Sequence, residues 1–272
     1  MLRERGIEIK SADQIGLMRR AGMVVGTALQ LLRSSAGPGV STGELDAIAE
    51  EHIRSYDAQP SFKGYHGFPA SICTSVNNEV VHGIPGARKL RDGDLLSIDC
   101  GAILDGWHGD AAITVPIGHV RDEHLELMRV CEESMWRGFA AARLGGRVSD
   151  ISAAVESYVR SCGDYGIVEE YVGHGIGSAM HQPPNVPNYG RPGKGPRLVK
   201  GLALAVEPMV ILGSQETATL EDDWTVVTAD GSWAAHFEHT FTLTDTGAWI
   251  LTARDGGKSK LLELGVPYGG PA

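Results

Sequence analysis

The chain has 272 residues, 42% of them hydrophobic and 21% charged, with a formal net charge of -10, the balance of an ordinary globular protein rather than a disordered or fibrous one. An acidic chain without a Lys/Arg-rich run is a poor match for nucleic acid as its main ligand, and nowhere are there about 18 consecutive apolar residues to span a bilayer. The opening MLRERGIEIK is charged where a secretory signal would be apolar, and Cys73, Cys100, Cys131 and Cys162 are scattered without a C-x-x-C pair; a cytoplasmic protein with free, mostly buried thiols is expected.

Ser11-Ala-Asp-Gln14 has the form of a capping box, and Ile15, Met18, Ala21, Val25, Ala28 and Leu32 continue at helical spacing. This first helix stops near Gly37-Pro38-Gly39. Ser41-Thr-Gly-Glu44 opens a second, with Leu45, Ile48 and Ile53 as its inner face. From Ser61 to Gly86 the chain is rich in Gly, Pro and aromatics, a composition suited to short strands and pocket walls.

Leu95 to Val115 follows as two apolar, β-branched runs joined by Asp105-Gly106, which favours a tight hairpin turn. A two-residue turn sets Leu104 opposite Trp107 and Gly101 opposite Asp110. Asp99 then shares a face with Asp110 as its diagonal neighbour, with β-carbons about 7 to 8 Å apart or less. Two such anions require a proton, a cationic side chain or a metal between them, unless one merely caps a turn.

Leu125, Met128, Cys131 and Met135 define a third helix, and Val148-Ser149-Asp150 leads into a fourth carrying Ile151, Val155 and Val159. This pair repeats the first: LMRRAG at Leu17 parallels LMRVCE at Leu127, and GVSTGELDAIAEEHIRS parallels RVSDISAAVESYVRS. Two halves of equal plan result, about 11–118 and 122–252. The second has its own strand pair, Leu202 to Leu212 and Ala235 to Leu243, carrying Glu207 and Glu238 as the first carries Asp99 and Asp110. The expected fold is α+β: one domain over 1–272, a curved antiparallel sheet from both halves with four helices over its outer face. The Gly-rich tail from Arg254 is expected to be loose at its end.

Between the two strand pairs lies Tyr171-Val-Gly-His-Gly-Ile-Gly177, whose glycines let backbone approach whatever His174 binds. His181 follows seven residues later.

Asp99, Asp110, His174, Glu207 and Glu238 together resemble the five-ligand set of the pita-bread metallopeptidases. The surrounding words DCGAILDGWHGDAAIT, GHGIG, VEPM and FEHT are similar to those of type I methionine aminopeptidases, a resemblance running from Ser11 to about Thr252. It implies a pseudo-twofold pita-bread fold and two divalent ions. Asp99 would chelate one ion, His174 and Glu207 the other, and Asp110 and Glu238 both. Four carboxylates and an imidazole suit Co, Mn or Fe better than a thiolate zinc site.

The implied activity is removal of the N-terminal methionine from nascent proteins and peptides, favouring a small second residue, by attack of a metal-bridging hydroxide. By the same resemblance, Glu207 shuttles the proton, His82 contacts the scissile amide and His181 stabilises the carbonyl oxygen. Tyr65, Phe68, Cys73 and Trp224 match the family's methionine pocket, which Phe62 and Met180 are expected to join. His66, His108 and His239 are expected to be structural. The implied partners are nascent N-termini and the ribosome, and the implied state a monomer.

Prolidase and aminopeptidase P share the five ligands but carry a large N-terminal domain, whereas here only the first helices precede Asp99. Type II methionine aminopeptidases insert a long segment between the His and the next Glu; here 33 positions separate His174 from Glu207. Metal-free binding proteins of this fold lack the ligands retained here. Two departures from the type I pattern stand out: Asp222-Asp223-Trp224 replaces Asp-Gly-Trp, which puts the placement of Trp224 in question, and His236 replaces a Gln. Strand alternation puts His236 on the face of Glu238, hydrogen-bonded to a ligand carboxylate, unless a bulge at Ala234-Ala235 turns it to solvent.

Overall fold

The computed structural model describes residues 6–271; the first five residues, part of the charged opening, lie outside it. Helix α1 (Ala12–Ser35) begins at Ser11, whose hydroxyl accepts the Gln14 N–H at 3.3 Å while the Gln14 side chain accepts the Ser11 N–H at 2.8 Å. Ser41 and Glu44 repeat the arrangement at the start of α2 (Thr42–Arg54). Each reciprocal cap satisfies two N–H groups that a helix start leaves free, at about 1 kcal/mol apiece. Met18, Ala21, Val25, Ala28 and Leu32 are buried on α1, and Leu45, Ala49 and Ile53 on α2, with Ile48 half-buried at the rim.

In the second half, α3 (Asp122–Ala141) and α4 (Val148–Cys162) take the same places. Ile151, Val155 and Val159 are buried as expected. Leu125 is not: it is 41% exposed, and the buried stripe of α3 runs through Leu127, Val130, Cys131, Met135 and Phe139. At about 100° per residue, Leu125 stands some 120° around the helix from Cys131, outside the apolar face.

Among the described residues, nine strands form one antiparallel sheet. Its central path runs Leu95–Leu104, Trp107–Pro116, Glu238–Leu243, Ala203–Val206 and Gly173–Gly175, so both halves contribute adjacent strands. Ile72–Val76 pairs with the outer edge of Leu95–Leu104. The helices lie behind this sheet over two apolar cores, one against α1 and α2, the other against α3 and α4.

The tail is not loose. Residues Lys258–Glu263 form a short helix with Leu261 fully buried, and Val266 and Tyr268 pack against the second core. The Gly269 N–H donates to the Ala248 carbonyl at 2.8 Å, and the Arg19 guanidinium donates to the carbonyls of Leu251, Ala253 and Arg254. Glycines here permit tight turns, and three apolar side chains anchor the segment between them.

Candidate metal centre and its pocket

Asp105 and Gly106 both adopt positive φ, 51° and 79°, the signature of a type I′ turn. Leu104 faces Trp107, Gly101 faces Asp110, and Asp99 faces Ala112. Ala112 also faces Glu238 across the next ladder. The Glu238–Leu243 strand pairs with Ala203–Val206 in the register that Ala234–His236 keeps with Met209–Ile211, so the intervening position sets Glu207 opposite Glu238. One row across the sheet therefore reads Cys73, Asp99, Ala112, Glu238, Glu207. Asp110 sits two residues from Ala112 and on its face. His174 lies beside Ala205, two residues from Glu207, where the pairing of its strand with Gln182–Val186 shifts register; such irregularities re-aim a side chain.

Ligand atoms of Asp110, His174 and Glu238 lie within 4.8 Å of one another. The His174 Nε2 is 3.5 Å from Glu207 Oε1 and 4.0 Å from Glu238 Oε1. Its Nδ1 lies 3.0 Å from the Gly175 carbonyl. A carbonyl can only accept, so Nδ1 carries the proton and the Nε2 lone pair points at the carboxylates, the tautomer a metal ligand needs.

Burial and mutual repulsion push Asp110, Glu207 and Glu238 well above the usual carboxylate range. Burial raises Asp99 to about 7 and, with His181 beside it, lowers His174 to about 3. Asp99 Oδ1, Asp110 Oδ1 and Glu238 Oε1 are shut off from solvent without a hydrogen-bond partner. No lysine or arginine lines the cavity among the described residues, and Asp99 and Asp110 lie within paired strands away from the turn, so neither an Arg partner nor a turn cap accounts for these carboxylates. Buried anions orphaned in this way fit divalent cations, and a set of four carboxylates with one imidazole fits the harder ones.

The cluster forms the floor of a cavity of about 330 Å³. Phe62, Phe68, Cys73 and Met180 make one apolar wall, with Tyr65 and Trp224 packed against it. Position 101, opposite Asp110, is a glycine because a β-carbon there would meet Phe62 Cε1 at 2.8 Å and Ser61 Cβ at 2.9 Å. Trp224 keeps its place despite the altered turn. Asp223 takes the left-handed conformation at φ 62°, which aspartate tolerates better than most residues, and the Asp222 carboxylate accepts the N–H groups of Trp224 and Thr225. The indole then packs edge-on against Phe68, with ring centroids 5.1 Å apart.

His181 accepts from or donates to the Tyr65 hydroxyl through Nδ1 at 2.9 Å and sets its ring 4.3 Å from that of His174. His82, also at positive φ, stands edge-on to Tyr171, and burial lowers it to about 4.

Residues 16–245 match the profile of metallopeptidase family M24. The chain belongs to this family. It is 54% identical to the methionine aminopeptidase of Clostridium acetobutylicum over 247 residues, covering 90% of this chain and 98% of that protein. Methionine aminopeptidase 1 of Bacillus subtilis is 52% identical, with 89% and 98% covered. The crystal structure of methionine aminopeptidase from Thermotoga maritima superposes with a TM-score of 0.89 at 41% identity, covering 91% of this chain and 100% of that one. Prolidase from Pyrococcus furiosus shares the fold alone: TM-score 0.73, 21% identity, 90% of this chain but only 65% of that one. The M24 fold is the pita-bread architecture that the resemblance implied.

The cavity is lined by three residues besides those expected there, and His236 sits otherwise than expected. Tyr171 and Val172 line the cavity, as does His66, which was expected to be structural. The signal for the first two was adjacency to the His174 motif; for His66 it was the flanking Gly64 and Gly67, whose positive φ values accompany its own of 48°. His108 and His239 bond instead to Ser61 and Thr252. His236 is buried, so no bulge exposes it, yet no ligand carboxylate bonds it and its Nε2 has no partner. Its strand ends there and Glu238 begins another in a different sheet. The His236 N–H and C=O are both tied to the Thr114 hydroxyl at 2.9 Å. Burial lowers its imidazole to about 3, with a smaller contribution from His82.

Proposed function

We propose that this chain is a single-domain, metal-dependent aminopeptidase that removes the N-terminal methionine from nascent proteins and peptides with a small second residue. The observation that carries this reading is the set of orphaned, buried carboxylate oxygens at the floor of an apolar pocket. Two divalent ions, Co, Mn or Fe, would be held by Asp99 on one side, by His174 and Glu207 on the other, and by Asp110 and Glu238 in common. When bound, such ions acidify water and stabilise negative charge on a carbonyl oxygen.

The remaining chemistry belongs to side chains. Glu207, half-buried beside the His174 imidazole, takes a proton from the attacking water and returns it to the leaving amine nitrogen. With the Tyr65 hydroxyl donating to Nδ1 of His181, the imidazole proton sits on Nε2 and stabilises the carbonyl oxygen. His82, neutral above about pH 4, contacts the scissile amide. Phe62, Phe68, Cys73, Met180 and Trp224 enclose the methionine side chain, where sulfur and aromatic edges attract. Substrates are nascent chain ends in the cytoplasm, with the ribosome as a partner and the enzyme as a monomer; no helix among the described residues is long and apolar enough to cross a membrane.

The test compares Met-Gly-x, Met-Lys-x and x-Pro peptides with added divalent metal and with chelator. Metal-dependent release of methionine from Met-Gly-x far ahead of Met-Lys-x is expected. Preferential cleavage of x-Pro peptides without need for methionine would replace this reading with that of aminopeptidase P.

A further inference from the structure

The loop Ser178–Gln182 carries two pocket residues, Met180 and His181; Gln182 pairs with Gly175 at the start of its strand and its amide also donates to the Ser178 hydroxyl at 3.3 Å, closing the loop on itself. Its ends are fastened by a segment that precedes α1 in the chain. The Glu8 carboxylate accepts the Ser178 N–H at 3.1 Å, the Ser178 hydroxyl at 2.8 Å and the Gln182 amide N–H at 2.8 Å. Lys10, whose side chain is 1% exposed, donates from Nζ to Gln182 Oε1 at 3.3 Å and faces Glu8 Oε2 at 3.5 Å. Both ends of the Gln182 amide are thus claimed, one by the carboxylate and one by the ammonium. The Lys10 backbone is itself pinned, its N–H donating to the Gly201 carbonyl at 2.8 Å. Gly177 presses so close to Glu8 Oε2 and Lys10 Cε that no β-carbon fits between them.

We propose that Glu8 and Lys10 are positioning residues: by clamping the Ser178–Gln182 loop they fix Met180 and His181, and thereby set selectivity for the first residue of the substrate. The inference rests on the aminopeptidase reading for its substrate and on geometry for the clamp. Neither side chain touches the cavity. Their effect passes through Gln182, which is adjacent to His181, and through Ser178, two residues before Met180. Displacements of about 1 Å in such a shell cost up to about a hundredfold in rate, whereas a residue that merely stabilises the fold would lower activity on all substrates alike.

The experiment uses the metal-loaded full chain and its Glu8→Ala, Glu8→Gln, Lys10→Met and Ser178→Ala variants. Two quantities are read: amide hydrogen exchange of residues 178–182, and the ratio of kcat/KM for Met-Gly-x to that for Leu-Gly-x per metal-loaded site. Glu8→Ala is expected to speed exchange in the loop and to shrink the ratio by about tenfold, with metal content unchanged. Glu8→Gln, which still accepts from Ser178, should recover part of both. Should Glu8→Ala fail to fold, Ser178→Ala and Lys10→Met each break one side of the clamp and should move both readouts in the same direction. Unaltered exchange, or faster exchange with an unaltered ratio, overturns the proposal. A wild-type protein that releases no methionine would overturn the aminopeptidase reading instead, and exchange alone would then decide the clamp.

Discussion

Replacing Glu238 by Gln should make the metal-free protein more stable while depriving it of metal. Glu238 is 2% exposed, its Oε1 has no partner, and Asp110, Glu207 and Asp99 all repel its charge. Ligand atoms of Glu238 and Asp110 lie within 4.8 Å, where two unit charges at an effective dielectric constant of about 20 repel by about 3 kcal/mol. Proton uptake by the cluster relieves part of this, and a glutamine amide would add donors to the neighbouring carboxylates. A rise of about 5 °C in melting temperature is expected for a chain of this size. The folded carboxyl keeps its proton to higher pH than the unfolded one, whose ordinary value is 4.5. Metal-free wild type therefore loses stability as pH rises above that value, and the advantage of the variant should open in the same window. Melting in chelator at pH 8 and at pH 4.5 measures the gap, and adding Mn²⁺ should favour wild type far more than the variant. A Glu238→Gln protein that melts no higher than wild type in chelator at pH 8, or a gap equally wide at pH 4.5, would refute the electrostatic account.

Two further perturbations probe the same row. Asp110 groups with Glu238 and His174 whereas Asp99 stands apart from that trio, so Asp110→Ala should abolish metal binding and Asp99→Ala should leave about one ion per chain; full occupancy in Asp110→Ala, measured by elemental analysis after dialysis, would remove its bridging assignment. Ala112 is the small member between Asp99 and Glu238. Ala112→Leu should occupy the space between the carboxylates, lowering metal affinity at least tenfold at a stability cost of about 1 to 3 kcal/mol; calorimetric titration with Mn²⁺ showing unchanged affinity would place Ala112 outside the site.

The first half of the site was legible because a turn dictates a register. Asp105-Gly106 admits essentially one hairpin geometry, and from it the relation of Asp99 to Asp110 follows by counting. Glu207 and Glu238 carried no such signal. Each lies where a strand is interrupted, Glu207 before Pro208 and Glu238 after Phe237, so their alignment depends on a register held on both sides of a gap. The same interruption defeated the reading of His236, since alternation within one strand says nothing across a change of sheet. His174 was found through its glycines, but its partners stand 64 residues before it (Asp110) and 33 and 64 residues after it (Glu207 and Glu238), a relation only the closed sheet reveals. In the tail, composition signalled turns and could not show that Leu261, Val266 and Tyr268 would dock on a core built from other segments.

Why the ligand row is interrupted follows from dimensions. Asp99 and Glu207 are three strand spacings apart, about 14 Å in a flat sheet, too far for side chains to share neighbouring cations. Convergence needs a bend, longer arms on one side and an empty place in the middle. The longer glutamates stand on the two strands of the second half and the shorter aspartates on the two of the first, and Ala112 leaves the middle open. At the bend, Pro208 cannot donate to a ladder, so the pairing of Ala203–Val206 stops and resumes at Met209. The carbonyls released by the break would cost free energy if left bare in the interior. They are not: Asn188 donates to the Glu207 carbonyl at 3.1 Å, the Phe237 N–H donates to the Pro208 carbonyl at 3.4 Å, and the buried Cys131 thiol of α3 lies 3.1 and 3.3 Å from the carbonyls of Pro208 and Ala235. The helix behind the sheet thus adds a donor beside the interruption in the ladder, so the bend that gathers the carboxylates is also contacted from the side opposite to the pocket.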